Sequence, residues 1–203
     1  MDQERWSFSV RSASQGGVAG TSLTGQLLIA MPSMADPRFA RSVICLCAHS
    51  PEGAMGIVLN RPILRPSFPE LLQQLEIEPN PPRRSVPLCA GGPVEGGRGF
   101  VLHTADWKEA GTMEVTDSIA LTASLDVLRD IASGGGPRAC ILALGYAGWG
   151  AGQLDQEIQA NAWLSVELDE QILFDDQYDT KWRRALARLN VDPLLLSANA
   201  GHA

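Results

Sequence analysis

The chain has 203 residues, a formal net charge of -7 and 45% hydrophobic residues, a balance typical of a globular protein. An acidic chain argues against binding to a nucleic-acid backbone, which requires a basic surface. No apolar run reaches the ~20 residues that span a bilayer, and the N-terminus does not resemble a signal peptide. We therefore expect a cytoplasmic protein that contacts neither DNA nor a membrane directly.

The cysteines all lie inside apolar runs, where a reduced thiol acts as a small buried hydrophobe. They are Cys45, Cys47, Cys89 and Cys140. This placement argues against the disulfide framework of a secreted protein and agrees with a cytoplasmic location.

The first part of the chain predicts a sheet. After a flexible polar leader at residues 1–21, three short apolar runs at 26–31, 43–48 and 55–59 predict buried strands. Pro51 and Gly53 predict a tight turn between the last two strands. Ser67 and Glu70 have the spacing of a capping box, which predicts a short helix, and a polar loop follows at 79–84.

The middle of the chain predicts strands at 86–90 and 100–103, joined by a glycine-rich segment at 91–99. So many glycines imply tight turns, bulges or close approach of another backbone. A hairpin is predicted from 112–115 and 119–121. Leu125, Leu128 and Ile131 then form the apolar stripe of a helix that ends at the glycines of 134–136.

The last part of the chain begins with a predicted strand at 140–144 and a glycine-rich turn at 145–152 that enters a helix. Strands are predicted at 163–168 and 172–174. An amphipathic helix around Trp182 follows, and its Lys181–Arg184 stretch is predicted to be a solvated face. Strands in clusters with single inserted helices predict one α+β domain over residues 22–196, followed by a frayed tail at 197–203.

Several of these segments together resemble the AlgH/YqgE family of bacterial proteins. They are GQLLIAMPSMADPRFARSVICLCAHSPEGAMGIVLNRP, GGPVEGGRGFVLH, LGYAGWGAGQLDQEIQANAWL and ILF with the Trp182 helix. The resemblance implies a mixed, largely antiparallel sheet that curls into a partial barrel with helices packed around it. One family member has been described as a transcriptional regulator of exopolysaccharide synthesis. The resemblance implies a regulatory role for this chain. Because its sequence contains no DNA-binding motif, we expect this role to be indirect.

Cys45, Cys47 and His49 alternate along one predicted strand, so their side chains are predicted to share one face. Such a row could ligate a metal with help from Cys89 or His103. Ligands two residues apart on a strand lie ~6.6 Å apart and converge on one ion only in favourable rotamers. We therefore favour a core face and expect no metal and no cofactor.

The glycine-rich turn at 145–152 has two interpretations. A strand, a glycine loop and a helix N-terminus can form an anion site, but the spacing matches neither a dinucleotide nor a phosphate-loop motif. We favour a structural turn with a glycine at positive φ and a buried Trp149. Asp155 and Glu157 are predicted in the first turn of the next helix, where the helix dipole favours carboxylates.

A weak ligand site is predicted where Asn60 and Arg61 end the central strand. With Gly91, Gly92 and Glu95 these residues could border a polar cleft for an anionic or peptide ligand. The alternative, which we favour, is that Arg61 pairs internally with Glu95 or with backbone.

The leading functional hypothesis is a non-enzymatic binding or regulatory module that acts through a protein partner or a small ligand. We expect a monomer or a small homo-oligomer. The alternative is an enzyme of unknown reaction that uses a cysteine or histidine near Cys47, His49, Cys89 and His103. Geometry separates the two, since an enzyme needs such a group in a cleft with a hydrogen-bonded partner.

Overall fold

The structure is a computed structural model that describes residues 22–78 and 84–190. The predicted leader, most of the polar loop at 79–84 and the predicted tail lie outside these residues. The strands are β1 (Gln26–Ala30), β2 (Val43–Ser50), β3 (Gly53–Val58), β4 (Leu88–Ala90), β5 (Val94–Thr104), β6 (Met113–Glu114), β7 (Ile119–Thr122), β8 (Cys140–Gly150) and β9 (Trp163–Glu167). The helices are α1 (Phe68–Gln74), α2 (Asp126–Ala132), α3 (Gln153–Gln159), α4 (Glu170–Phe174) and α5 (Tyr178–Ala187). None of these helices is long and apolar enough to cross a membrane.

In the described residues one sheet joins the strands in the order β6-β7-β5-β8-β3-β2-β1-β9, and β4 pairs with β8 outside this path. The β4–β8 pair is parallel and the other pairs are antiparallel. The sheet curls into a half-barrel with helices against it, which confirms the predicted α+β class and partial barrel. Strand β8 is the centre, because its first half pairs with β5 and its second half with β3.

Three hydrophobic clusters fill the two faces of this sheet. The inner cluster joins alternate residues of β1, β2, β3, β5 and β8 to α4 and α5. On the opposite face α1 and α2 cover one half of the sheet, and α3 covers the other half. This division follows from strand geometry, since successive side chains point to opposite faces.

Helix α1 confirms the predicted capping box. The Glu70 carboxylate accepts hydrogen bonds from the backbone N–H and the hydroxyl of Ser67, at 2.6 and 2.8 Å. The first turn of a helix leaves backbone donors without partners, and the Glu70 carboxylate satisfies one of them, the N–H of Ser67.

Two predicted elements are wrong. Residues 145–150 are the second half of strand β8, and a turn occupies only residues 151–152. Residues 172–174 belong to helix α4, not to a strand. Its start is fixed by Asp169, whose side chain accepts a hydrogen bond from the backbone N–H of Gln171 at 2.8 Å.

Lys181 also departs from the prediction, because its side chain is completely buried rather than solvated. Its Nζ donates to the backbone oxygen of Ile172, to that of Asp175 at 3.1 Å, and to the Asp175 carboxylate at 3.1 Å. An ammonium has three donors, and all three are used. Lys181 therefore joins α5 to the C-terminal end of α4, where helix carbonyls lack internal partners.

Candidate functional site

The Cys45, Cys47 and His49 row does not share one face, because β2 contains a bulge. The pairing with β3 passes from Leu46 to Ala48, so that Cys47 is the extra residue. Cys45 and Cys47 lie in the inner cluster, while His49 pairs with Ala54 on the opposite face. A bulge shifts the alternation by one residue, which is why the prediction of a common face is wrong.

The two cysteines named for the enzyme alternative are buried and weakly hydrogen-bonded to backbone. Cys47 Sγ lies 3.5 Å from the Cys45 carbonyl oxygen, and Cys89 Sγ lies 3.3 Å from that of Val58. The Cys45 thiol and burial raise the pKa of Cys47 well above its ordinary range. Burial raises the pKa of Cys89 to about 12. A thiol must ionise to act as a nucleophile, so both cysteines are inert at neutral pH.

The two histidines named for the enzyme alternative, His49 and His103, also have polar partners within the protein. His49 Nδ1 accepts from the Leu23 N–H at 3.2 Å, and Nε2 lies 3.4 Å from an Asp155 carboxylate oxygen. His103 is completely buried, with Nδ1 2.8 Å from the Thr104 carbonyl oxygen and Nε2 2.9 Å from the Thr122 hydroxyl. A carbonyl only accepts, so Nδ1 carries the proton and Thr122 donates to Nε2. Burial lowers the pKa of His103, which keeps it neutral.

Within residues 22–78 and 84–190 the four side chains therefore form no hydrogen-bonded cysteine–histidine pair. In the same ranges no three histidine, cysteine or acidic side chains converge as metal ligands would. His202, the remaining histidine, lies outside the described residues.

Asn60 and Arg61 hold the backbone that precedes β2. The Asn60 side chain accepts from the Val43 N–H at 3.0 Å and donates to the Arg41 carbonyl at 2.8 Å. The Arg61 guanidinium donates to the Ala40 carbonyl and, at 3.4 Å, to that of Asn60. These contacts match the internal arrangement that we favoured for Arg61. A ligand role for both residues stays a prediction.

Gly91 and Gly92 lie where two backbones approach closely. A Cβ on Gly91 would stand 2.3 Å from the Gly145 carbonyl oxygen, and one on Gly92 would stand 2.1 Å from Tyr146 backbone. Gly145 in turn has φ 72°, and its own Cβ would lie 2.6 Å from the Gly92 oxygen. No other residue fits at these three positions, which confirms the predicted close approach of another backbone for Gly91 and Gly92, whereas a Cβ on Gly96 or Gly97 would meet nothing within 4 Å.

Beyond this contact β5 bulges away from the sheet. Val94 pairs with Tyr146 and Gly99 with Leu144, so residues 95–98 of β5 face Gly145 alone. Glu95 adopts a left-handed φ of 49° at the start of this bulge. Its carboxylate lies 3.6 Å from the Arg98 guanidinium, which itself stands 5.3 Å from the centre of the Phe100 ring. The bulge thus begins directly after Val94, which lines a neighbouring cleft.

The cleft lies over the junction of β3, β5 and β8 and has a volume of about 240 Å³. Val94, Tyr146 and Met55 form its walls, on the face of the inner cluster. Its floor is bare backbone, because Met55 pairs with Gly148 and Gly53 pairs with Gly150. We call it the glycine-floored cleft.

Gly148 keeps this cleft open. Its φ lies outside the left-handed region, so its backbone does not itself require glycine. A Cβ there would enter the cleft, 3.2 Å from the Tyr146 ring and 3.8 Å from the Val94 side chain. A glycine in a strand costs roughly 0.5–1 kcal/mol relative to alanine, and here it leaves accessible space.

The charge at the cleft is acidic. Glu52 lines it, held by the predicted hairpin turn through the Ser50 hydroxyl at 2.7 Å, and this hydrogen bond lowers the pKa of Glu52. Burial and the Glu95 carboxylate raise the pKa of Tyr146, and Arg98 opposes them. Among the residues that line the cleft, Glu52 is the one with a charged side chain.

A second concavity of about 210 Å³ lies on the opposite face of β5 and β8, against α1 and α2. Its wall includes Leu125, one of two large hydrophobic side chains that are exposed in the described residues. Its lining is mostly aliphatic, with Arg98 and Ser124 as polar side chains and no aromatic ring. Ligand sites are rich in aromatic side chains, and the glycine-floored cleft combines aromatic rings with a carboxylate, so we take it as the candidate.

Of the residues predicted for a site, none lines this cleft; Glu95 follows the lining residue Val94, and Gly91 and Gly92 pack against the backbone of Gly145 and Tyr146. Sequence reasoning missed Glu52, Met55 and Tyr146. The signal was present in the alternation of Gly148 and Gly150, which have the two-residue period of a strand with one bare face. That period favours a strand over the turn that we predicted.

Comparison with known proteins adds the evolutionary context. A family model described as AlgH-like (DUF179) matches residues 27–194. A UPF0301 protein of Rhodospirillum rubrum is 59% identical over 89% of this chain and 94% of its own length. One from Beijerinckia indica is 52% identical over 97% and 100%. The solution structure of the AlgH protein from Pseudomonas aeruginosa has a TM-score of 0.73 and 44% identity, covering 94% of this chain and 100% of its own.

Proposed function

The chain belongs to the AlgH-like family, and from this premise and the site geometry we propose that it is a cytoplasmic, non-enzymatic binding module with a regulatory role. It acts through a protein partner or a small ligand held in the glycine-floored cleft. Direct contact with DNA is not part of this proposal, since the chain carries a net charge of -7.

The observation that carries the proposal is the open floor at Gly148. Well-packed proteins leave few voids, whereas Gly148 is exposed and a side chain there would cover part of this backbone after a small shift of the Tyr146 ring, 3.2 Å from the added Cβ. The cleft instead has an apolar wall, an aromatic ring and a carboxylate, which is the composition of a ligand site. The enzyme alternative has less support, because the side chains of its cysteines and histidines are hydrogen-bonded to other groups of the protein.

The test compares what is retained from a bacterial lysate by the full-length protein and by Gly148→Val, which fills the cleft. Gly99→Ala is the matched control, because a Cβ there makes an ordinary contact of 3.6 Å with Leu142. Mass spectrometry identifies retained proteins and small molecules, and thermal melts verify that each variant is folded. Where the valine variant is unstable, Gly148→Ala replaces it.

We expect the wild type and Gly99→Ala to retain at least one protein or small molecule that Gly148→Val does not retain. Identical retention by all three proteins, or no specific retention by any, would contradict the proposal. A thiol probe that labels Cys47 or Cys89 in the native protein at neutral pH would instead favour the enzyme alternative.

A further inference from the structure

We propose that the glycine-floored cleft receives an arginine side chain from a protein partner. The inference rests on the proposed function and names the chemistry of its partner. It follows from the juxtaposition of the bare strand backbone at Gly148, the Tyr146 ring and the Glu52 carboxylate in one cleft.

Charge selects a cation. Glu52 is the charged side chain among the residues that line the cleft, and the chain as a whole carries a net charge of -7. A basic partner is therefore attracted over long range and paired at short range. Arg98 lines the second concavity rather than this cleft, and its charge is offset by Glu95 at 3.6 Å.

Shape selects a planar cation. The floor includes the strand backbone where Met55 of β3 pairs with Gly148 of β8 and Gly53 with Gly150. Because the three glycines lack side chains, such a floor offers flat van der Waals contact. A guanidinium is planar, weakly hydrated and stacks on aromatic rings and peptide groups, whereas an ammonium is compact and strongly hydrated.

Size agrees with this occupant. The cleft holds about 240 Å³, and a cavity of ~150 Å³ already accommodates a benzene molecule. A guanidinium with part of its methylene stem fits, with the stem against Met55 and Val94 and the head near Glu52. Arginine can bury its stem on apolar surface while its charged head meets a carboxylate.

The experiment titrates the full-length protein with the peptide Ac-Gly-Gly-Arg-Gly-Gly-NH₂ and follows backbone amide shifts by NMR. Parallel titrations use the same peptide with lysine, with neutral citrulline or with glutamate in place of arginine. We expect the arginine peptide to bind in the millimolar range and to shift the amides of Gly53, Gly148 and Gly150. The lysine and citrulline peptides should bind at least threefold more weakly, and the glutamate peptide should not bind.

Two variants localise the effect. Glu52→Gln should weaken the arginine peptide about threefold to fivefold, as expected for an exposed ion pair, and leave the citrulline peptide unchanged. Glu114→Gln is the control, because Glu114 is exposed on β6 and outside the cleft. Gly148→Val should abolish the shifts.

Equal affinity for arginine and citrulline, preference for the glutamate peptide, or shifts that survive in Gly148→Val would each overturn the inference. If the arginine peptide does not bind but the wild type still captures a species that Gly148→Val does not, the proposed arginine ligand is wrong and the proposed function stands. If the two proteins capture the same species from lysate, the proposed function is wrong as well.

Discussion

The buried Lys181 provides a sharp test of the energetics of this fold. Lys181→Met keeps a flexible apolar stem of similar length and removes the ammonium that binds Ile172, Asp175 and the end of α4. Breaking a buried pair by removing one partner costs about 3–5 kcal/mol. The lower end applies here, because Asp175 is one-fifth exposed and keeps its ion pair with Arg184.

We therefore expect Lys181→Met to lower the free energy of unfolding by about 3 kcal/mol, measured by urea denaturation with a common slope for both proteins. Lys108→Met is the matched control, since Lys108 makes an exposed pair with Glu114 and should leave the midpoint unchanged. A Lys181→Met protein as stable as the wild type would contradict this prediction and show that the Lys181 ammonium does not stabilise the fold.

Three further predictions concern other parts of the molecule. The Glu157 carboxylate accepts hydrogen bonds from the indole N–H groups of Trp149 and Trp163 at 2.9 and 2.7 Å. Glu157→Ala should therefore lower the free energy of unfolding by about 2–4 kcal/mol and change the tryptophan fluorescence. The control is Gln156→Ala, which replaces an exposed residue on the same helix and should change neither quantity. Because burial lowers the pKa of His103 below its ordinary 6.5, its stabilising contribution is complete above pH 6.5 and is lost as the pH falls towards the folded-state pKa. The stability difference between wild type and His103→Gln should accordingly narrow in urea titrations below pH 6.5, and a difference independent of pH would argue against a neutral buried imidazole. Generic duplex DNA should bind poorly at physiological salt, and tight sequence-selective binding in a titration of the isolated protein would contradict this.

Much of the fold was predictable because local signals and tertiary structure agree. The capping box at Ser67 and the hairpin at 112–121 depend on short-range hydrogen bonds, and the structure contains both. The prediction for Trp149 and its glycines is also confirmed: Gly145 and Gly152 have φ of 72° and 66°, and Trp149 is 7% exposed.

The errors arise where distant segments decide the structure. Residues 145–150 were predicted as a turn from their glycines. In the structure Gly145 allows the backbone of residues 91–92 to approach, and Gly148 and Gly150 leave one face of β8 without side chains. Lys181 looks solvated in sequence because the backbone oxygens that bind it belong to another helix. Glu157 was assigned to the helix dipole, yet it lies beyond the first turn of α3 and serves two tryptophans.

The candidate site was predictable only in part for the same reason. The predicted Glu95 is the neighbour of the lining residue Val94, but Glu52, Met55 and Tyr146 come from three separate strands or turns. Their assembly depends on the register of β3, β5 and β8, which the sequence of any one segment does not contain.

Hydrogen–deuterium exchange of the full chain, alone and with the species captured from lysate, shows whether the glycine-floored cleft is the surface that binds a partner. We expect binding to protect residues 52–55, 94 and 146–148 and to leave α1 and α2 unchanged. Protection confined to α1, α2 and the concavity beside Leu125, with the cleft exchanging as in the free protein, would contradict it.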